Sequence, residues 1–212
     1  MYSALRKANL LAGDFAVFPG GGGGVGLQGV QLASIMGFRP IVIDTGADRR
    51  ELCLKRGAEA FIDFKEVKDV AAEVVRICDG IGAHGIFVTA PAAYKYALDC
   101  VGDRVGATLM CIGLRKLDAL AAGNRASANA SIAPAGSTFL SAEPLTFVRK
   151  NLSIRGSLVS SRAETAKVLQ FAARGVLQPI HTAVYPIDKL PEAVQKIRHG
   201  DATGRSVVDF NL

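Results

Sequence analysis

Short apolar runs alternate with longer amphipathic stretches along most of the chain. Seven short runs are rich in β-branched or aromatic residues, as is typical of strands: "DFAVFP", "RPIVID", "AFIDF", "HGIFVTA", "ATLMCIG", "LSIRGSLV" and "RSVVDF". Between these runs the apolar positions recur with helical spacing, over residues 27–36, 48–56, 68–78, 92–101, 143–150, 163–174 and 189–198. This alternation predicts an α/β fold: a doubly wound, mostly parallel sheet of the Rossmann type with helices on both faces.

One segment departs from this alternation. Residues 117–143 are rich in Ala, Ser, Asn and Gly and show no sustained period. A stretch of this length without a pattern is uncommon inside a compact domain, where it is usually a functional loop or a disordered segment. We interpret it as an irregular insertion that is disordered or weakly helical. No linker or internal repeat divides the remainder, so residues 1–212 are expected to form one domain.

Composition and charge narrow the class of protein. Half of the 212 residues are hydrophobic and 21% are charged, which is typical of a soluble chain that buries a core. The net charge of +6 is spread in ones and twos without a basic stripe, and this argues against nucleic-acid binding. No apolar run approaches the roughly 18 residues of a membrane span, and the first residues lack a secretory signal. We expect no membrane contact and a cytoplasmic location.

The most informative stretch follows the first predicted strand. "PGGGGGVGLQGVQ", residues 19–31, places five consecutive glycines before a helical pattern, and Gly21, Gly23 and Gly26 satisfy the G-x-G-x-x-G fingerprint. Bare backbone lets a pyrophosphate approach closely, and the amide groups at a helix start attract its charge. We assign the tight turn to Gly21, the phosphate approach to Gly23 and close packing of helix on strand to Gly26. The other glycines are interpreted as permissive positions: Gly20, Gly22 and Gly24.

An acid ends the second predicted strand. Asp44 lies about twenty residues beyond the fingerprint, where dinucleotide-binding domains place the carboxylate that binds the adenosine ribose. Such a carboxylate repels a 2′-phosphate, so it favours NAD(H) over NADP(H). Arg49 leaves this preference open, because it can tolerate a phosphate or lie as a solvated arginine at the start of a helix. The strand, the glycine turn, the helix, the second strand and the acid follow one another in the order of a dinucleotide-binding unit. Together they predict a dinucleotide site in preference to a purely structural turn.

Other chemical signals are sparse. The cysteines form no C-x-x-C pair and the histidines form no H-E-x-x-H motif, so no zinc or redox motif is indicated. G-x-S-x-G and G-x-x-x-x-G-K-[ST] motifs are missing, which removes the main support for the hydrolase and P-loop classes. An S-adenosylmethionine-dependent methyltransferase would share the glycine turn and the following acid. It fits less well, because Pro19 stands where we would expect an acid.

In their order along the chain, the stretches resemble the cofactor-binding half of medium-chain alcohol dehydrogenases, specifically the zinc-dependent, yeast-type enzymes of fungi. The matching stretches are "YSALRKANL", "GDFAVFPGGGGGVGLQGVQLASIMG", "IVIDTG", "ELCLKRGAEAFIDF", "HGIFVTA", "CIGL", "NLSIRGSLVSSRAETAKVLQFAARG" and "LPEAVQKIRHGDATGRSVVDF". They cover nearly everything outside the irregular insertion. The resemblance implies an oxidoreductase that transfers hydride between a primary or secondary alcohol and NAD.

The resemblance implies specific contacts to the pyrophosphate and the adenosine. It gives the pyrophosphate to the glycine run, namely Gly21, Gly22, Gly23, Gly24, Val25 and Gly26. Arg205, in the late "GR" segment, contacts the same group, although a surface salt bridge is the alternative for this residue. The resemblance also implies that Asp44 binds the adenosine ribose, with Arg49 as a supporting contact. Thr89 is a weaker candidate for the adenosine side.

The resemblance further implies a nicotinamide site and a partner. In the family, backbone groups after two strands hold the nicotinamide, and these correspond to Ile112, Ser157 and Val159. Plain core packing is the alternative for Ile112 and Val159. Family members also pair through an edge strand, which corresponds to residues 152–159 and predicts a homo-oligomer.

The chain also departs from the family pattern. Members carry a separate catalytic domain whose cysteine and histidine side chains bind the catalytic zinc, and none of those ligands can be mapped onto this chain. Zinc stabilises the alkoxide during hydride transfer, so we expect dinucleotide binding without efficient alcohol oxidation by this chain alone. Two hypotheses stay open. One is a truncated alcohol dehydrogenase, and the other is a non-catalytic nucleotide-binding or dimerisation module.

Overall fold

The computed structural model describes residues 1–114, 140, 143–200 and 202–212. Most of the insertion predicted at 117–143 therefore lies outside the described residues. The elements follow in the order α1 (Tyr2–Lys7), β1 (Phe15–Pro19), α2 (Gly24–Ile35), β2 (Arg39–Asp44), α3 (Ala47–Lys55), β3 (Ala60–Asp63), α4 (Val70–Ile77), β4 (Gly85–Val88), α5 (Tyr94–Ala97), β5 (Thr108–Cys111), α6 (Pro144–Lys150), β6 (Ser153–Gly156), α7 (Arg162–Ala173), β7 (His181–Pro186), α8 (Leu190–His199) and β8 (Arg205–Asp209).

Six of the strands form one sheet in the order β3-β2-β1-β4-β5-β6. Every pairing in this sheet is parallel. The chain runs outward from β1 to β3 and then returns to place β4 on the other side of β1, so the strand order reverses between β1 and β4. This confirms the predicted doubly wound α/β fold. It also sets the carboxyl ends of all six strands along one edge, where such folds bind ligands.

Alternate residues of β1 supply the cores on the two faces of the sheet. Phe15 and Val17 are fully buried in one hydrophobic cluster, while Ala16 and Phe18 are fully buried in the other. Phe18 stacks on Phe87 of β4 with ring centroids 5.1 Å apart. A strand buried on both faces needs a near-continuous apolar sequence, which explains why "FAVFP" contains no polar residue.

Helix boundaries follow local capping chemistry. The carboxylate of Asp69 accepts a hydrogen bond from the Ala72 N–H at 3.0 Å and begins α4. Ser161 and Glu164 form a capping box at the start of α7. The helix predicted over residues 92–101 is not continuous. It consists of the four-residue α5 with a short 3₁₀ turn on each side.

The C-terminal strands differ from the prediction. Residues 205–210 are predicted to join the main sheet, but β8 pairs in parallel with β7 in a separate two-stranded sheet. The sequence pattern did not predict β7. Of its residues 183–186, Ala183, Tyr185 and Pro186 are partly buried and Val184 is 48% exposed, so no clear apolar alternation marks it. A single parallel bridge between Gly23 and Gly204 connects this part of the chain to the start of α2.

Candidate functional site

The glycine run turns sharply after β1. Gly20 has a φ of +83°, and a Cβ on this residue would lie 2.7 Å from the Thr89 Oγ1 atom. The tight turn therefore falls on Gly20 rather than on Gly21, and the interpretation of Gly20 as permissive is wrong. The Thr89 hydroxyl donates to the Pro19 carbonyl at 2.8 Å and also lies 3.0 Å from the Gly20 carbonyl. Thr89 thus fastens the turn to the end of β4.

Three of the glycines allow close packing. A Cβ on Gly21 would lie 2.7 Å from the Val42 side chain, and one on Gly24 would lie 3.0 Å from the Gly204 carbonyl oxygen. A Cβ on Gly26 would lie 2.3 Å from the Gly20 carbonyl oxygen. The contact at Gly26 agrees with the predicted close packing of α2 on β1. The contact at Gly24 shows that this position has little space and is not permissive.

Gly23 differs from its neighbours because the protein leaves space around it. It is the N-cap of α2 and has a φ of −79°. Within the described part of the chain, a Cβ there would meet only the Gly20 carbonyl oxygen, at 3.5 Å. Packing within the chain and backbone conformation therefore do not require glycine here. A phosphate group that binds the backbone N–H groups at a helix start does require it. The space at Gly23 fits the predicted phosphate position.

Asp44 lies at the carboxyl end of β2 and is almost completely buried. Its Oδ2 accepts the Gly22 N–H at 2.8 Å, and its Oδ1 accepts the Thr45 N–H at 2.9 Å and the Arg49 Nη1 at 2.8 Å. A Cβ on Gly22 would approach within 2.8 Å of Arg49 Cδ and 3.0 Å of Asp44 Oδ2. Gly22 is therefore not permissive either. The acid and the glycine run form one connected unit.

A cavity of about 600 Å³ opens beside Asp44 at the carboxyl edge of the sheet. Its volume is in the range of small-molecule sites. The lining combines apolar side chains with a few charged ones. It comes from the turn after β1, the end of β2, the segment between β3 and α4, the start of α4 and the segment after β4: Gly20, Ile43, Asp44, Phe64, Val67, Lys68, Asp69, Val70, Ala71, Ala90, Ala92, Ala93, Lys95, Tyr96 and Asp99. Thr89 is not part of this lining. Its side chain is turned toward the glycine run instead.

The remaining predicted residues follow β5 and β6 along the same edge. The Ile112 N–H lies 3.3 Å from the Val88 carbonyl and 3.1 Å from the hydroxyl of Tyr94. Ser157, directly after β6, donates its N–H to the Cys111 carbonyl at 3.0 Å. Val159 is 80% exposed and lies beyond the end of β6, so core packing does not explain it.

Tyr94 is a residue that the sequence analysis missed. Its hydroxyl donates to the Gly113 carbonyl at 3.1 Å while it accepts the Ile112 N–H, so it fixes the backbone after β5. Burial raises the pKa of Tyr94 well above its ordinary value, and the hydroxyl therefore keeps its proton for this bond. No local motif marks a tyrosine in this role, because its partners are backbone atoms about twenty residues away along the chain.

Arg205 begins β8 and reaches the first turn of α2. A Cβ on Gly24 would lie 3.5 Å from Arg205 Nε and 3.6 Å from its Nη2. The first turn of α2 contains no acidic side chain. A guanidinium beside the positive end of a helix dipole is unfavourable unless an anion lies between them. The arrangement therefore suits a bound diphosphate.

The topology places the carboxylate, the glycine turn, the cavity and Arg205 around the point where the strand order reverses. Such an arrangement is typical of the Rossmann class of nucleotide-binding α/β domains.

Comparisons with known proteins agree with this class. The profile of the family described as "Zinc-binding dehydrogenase" matches residues 24–174. Alcohol dehydrogenase 1 of Neurospora crassa is 32% identical over 213 residues, which cover 99% of this chain and 54% of the relative. The alcohol dehydrogenase of Schizosaccharomyces pombe is 32% identical over 212 residues, with the same two coverages. Among solved structures, the alcohol dehydrogenase of Aeropyrum pernix matches with a TM-score of 0.77 at 21% identity, over 98% of this chain and 54% of that one.

The chain therefore belongs to the zinc-binding dehydrogenase family. It spans about half the length of the curated relatives it matches. It corresponds to the cofactor-binding half of alcohol dehydrogenase-like oxidoreductases, which confirms the resemblance seen in the sequence.

The described residues do not fit a zinc ion, although the family is named for one. Among them, no three His, Cys, Asp or Glu side chains lie close enough together to hold a metal. Burial raises the pKa values of Cys53, Cys78 and Cys100 to about 12, so these thiols stay protonated in the folded chain. His84 is engaged elsewhere, since its Nδ1 accepts the Phe15 N–H at 3.1 Å.

None of the helices described is long and apolar enough to cross a bilayer.

Proposed function

We propose that this chain binds NAD(H) and serves as the cofactor-binding part of an alcohol dehydrogenase-like oxidoreductase. The observation that carries the proposal is the buried Asp44 carboxylate, bonded to Gly22 and placed between the open backbone at Gly23 and the cavity of about 600 Å³. The names of the fungal relatives support the oxidoreductase class. A cytoplasmic location is still a prediction from the sequence.

The dinucleotide would lie across the carboxyl edge of the sheet. Its diphosphate would bind the backbone at Gly23 and Gly24, with the Arg205 guanidinium opposite. The adenosine would enter the cavity beside Asp44. A carboxylate has about four acceptor positions, and the three bonds to Asp44 leave one on Oδ2 for a ribose hydroxyl.

At the other end of the dinucleotide, the nicotinamide would lie beside the segments that follow β5 and β6. Ile112, Ser157 and Val159 would orient it through backbone groups, and Tyr94 keeps the first of these segments in place. When bound, the nicotinamide ring would accept or donate the hydride. The residues of this chain would bind and orient that ring. The oxidation of an alcohol by the whole enzyme is also proposed.

The choice between NAD(H) and NADP(H) depends on charge at the adenosine ribose. Asp44 is negative, and a 2′-phosphate would place a second negative group against it. Arg49 offsets this repulsion only in part, because two of its guanidinium nitrogens already donate to protein acceptors. We therefore expect the chain to prefer NADH.

Titration of NADH, NADPH and S-adenosylmethionine tests the proposed function. We expect NADH to bind at least about tenfold more tightly than the other two ligands, and Asp44→Ala to weaken NADH by about tenfold, since a hydrogen bond to a charged group is lost. Fluorescence or calorimetry measures each affinity. Asp63→Ala is the matched control, because Asp63 is an equally buried acid that ends β3 and accepts hydrogen bonds from the Gly46 and Lys65 N–H groups instead. Tightest binding of S-adenosylmethionine, or indifference of NADH to Asp44→Ala, would contradict the proposal.

A second function, self-association, is favoured by the edge strand of the main sheet. β6 lies at the edge, and large apolar side chains beside it are exposed, with Val148, Leu158 and Val159 each at least 79% exposed. We propose that this edge pairs with a second copy of the chain.

Sedimentation should show a dimer that Leu158→Asp disrupts. Leu11→Asp should leave the dimer intact, because Leu11 is an exposed leucine that lies before β1. A wild-type chain that stays monomeric at about 100 μM would exclude the pairing.

A further inference from the structure

Arg49 makes a contact that the predicted supporting role at the ribose does not explain. While its Nη1 donates to Asp44, its Nη2 donates to the backbone carbonyls of Gly200 and Ala202, at 3.1 Å in the second case. These carbonyls belong to the connection between α8 and β8, about 150 residues further along the chain. The guanidinium therefore joins the end of β2 to the C-terminal connection.

The same connection also touches the glycine turn. Gly204 donates its N–H to the Gly22 carbonyl at 3.1 Å, and Gly204 forms the isolated bridge to Gly23. Gly204 has a φ of +64°, a left-handed conformation that glycine adopts without strain. Arg205 follows at once and reaches the first turn of α2. The path from Arg49 to Arg205 therefore runs through backbone that is bonded at several points.

The glycine at position 22 is explained by the same arrangement. The aliphatic stem of Arg49 crosses directly over Gly22, and a Cβ there would meet Arg49 Cδ at 2.8 Å and Cβ at 3.0 Å. Arg49 is about one-fifth exposed, and its stem and head group are both in contact with the protein. A planar guanidinium suits this place, because it donates in two directions at once, to a carboxylate and to carbonyls.

We propose that Arg49 is a positioning residue for the diphosphate site. It holds the connection between α8 and β8 against the glycine turn and thereby keeps the Arg205 guanidinium beside the first turn of α2. This inference rests on the proposed dinucleotide function. It assigns Arg49 to the diphosphate through Arg205, whereas a direct ribose contact would assign it to the adenosine.

Two ligands and a double-mutant cycle separate these roles. ADP-ribose carries the diphosphate, and adenosine carries none. We expect Arg49→Gln to weaken ADP-ribose by about tenfold and adenosine by no more than about twofold, and the double variant with Arg205→Gln to bind ADP-ribose within about twofold of Arg205→Gln alone. Arg50→Gln is the matched control, since Arg50 lies on the same helix and pairs with the exposed Glu66. It should change neither affinity.

Hydrogen exchange of the Gly204 amide gives an independent measurement in the ligand-free protein. Arg49→Gln should raise its exchange rate by about tenfold, and Arg50→Gln should leave it unchanged. Equal losses of adenosine and ADP-ribose, additive effects in the cycle, or unchanged Gly204 exchange would each overturn the positioning role. If the wild-type chain binds no ADP-ribose, the proposed function fails, whereas the exchange measurement still decides whether Arg49 holds the connection.

Discussion

Replacing Gly26 by valine is expected to destabilise the chain by about 3 kcal/mol or more. The new Cβ would lie 2.3 Å from the Gly20 carbonyl oxygen and 2.6 Å from Gly21 Cα. Both contacts are to backbone, so no side-chain rotation can relieve them. α2 would have to move away from β1, which separates Leu27 and Val30 from the core cluster that they share with Phe18. Urea unfolding followed by far-UV circular dichroism measures the loss.

Gly23→Val is the control for this effect, because it lies three residues earlier in the same turn. Gly156→Ala gives a second reference, since no atom of the residues that the structure describes lies within 4 Å of a Cβ there. We expect both controls to retain the wild-type free energy of unfolding within about 1 kcal/mol. A Gly26→Val chain as stable as these controls would show that α2 is not held as closely to β1 as its contacts indicate.

Gly23→Val is expected to lower the affinity for NADH by about a hundredfold or more while the fold is retained. The valine side chain would stand where phosphate oxygens must come within about 2.9 Å of backbone N–H groups. Among the described residues, the nearest atom that the new Cβ would meet, the Gly20 carbonyl oxygen, is 3.5 Å away, so the fold has space for the substitution. NADH fluorescence titration measures the affinity, and circular dichroism confirms that the protein is folded.

The two glycine variants form a test of function against stability. Gly26→Val should damage the fold first and ligand binding as a consequence, whereas Gly23→Val should damage ligand binding alone. If Gly23→Val bound NADH with wild-type affinity, the diphosphate would have to lie elsewhere. If Gly23→Val unfolded the chain, glycine at this position would be required for the fold and not for ligand binding alone.

The doubly wound, mostly parallel sheet could be predicted because each of its strands carries its own local signal. "FAVFP" and "IVI" are apolar throughout, and parallel strands joined by helices leave few alternative topologies. Asp44 was predicted for a similar reason, since both its distance from the glycine run and its place at a strand end can be read from the sequence. The structure connects it to Gly22 by a direct hydrogen bond.

The details of the glycine turn could not be predicted in the same way. Five identical residues give no local reason to choose among them, and only the contacts to Thr89, Val42 and Arg49 separate Gly20, Gly21 and Gly22. The same limit applies to the hydrogen bond between Arg49 and Ala202, because its two residues lie 153 positions apart and sequence periodicity reports only on neighbours. β7 was missed for another reason: residues 183–186 are partly buried or exposed, so no apolar alternation marks the strand.

The bridge between Gly23 and Gly204 bears on how the protein is made. All six strands of the main sheet are complete once Gly156 has been synthesised, and domains begin to fold during translation. The diphosphate side of the site, however, needs Gly204 and Arg205, which are translated about 50 residues after Gly156. A nascent chain would thus hold a folded sheet with half of its binding site absent, and cofactor capture would begin only after Arg205 had been synthesised.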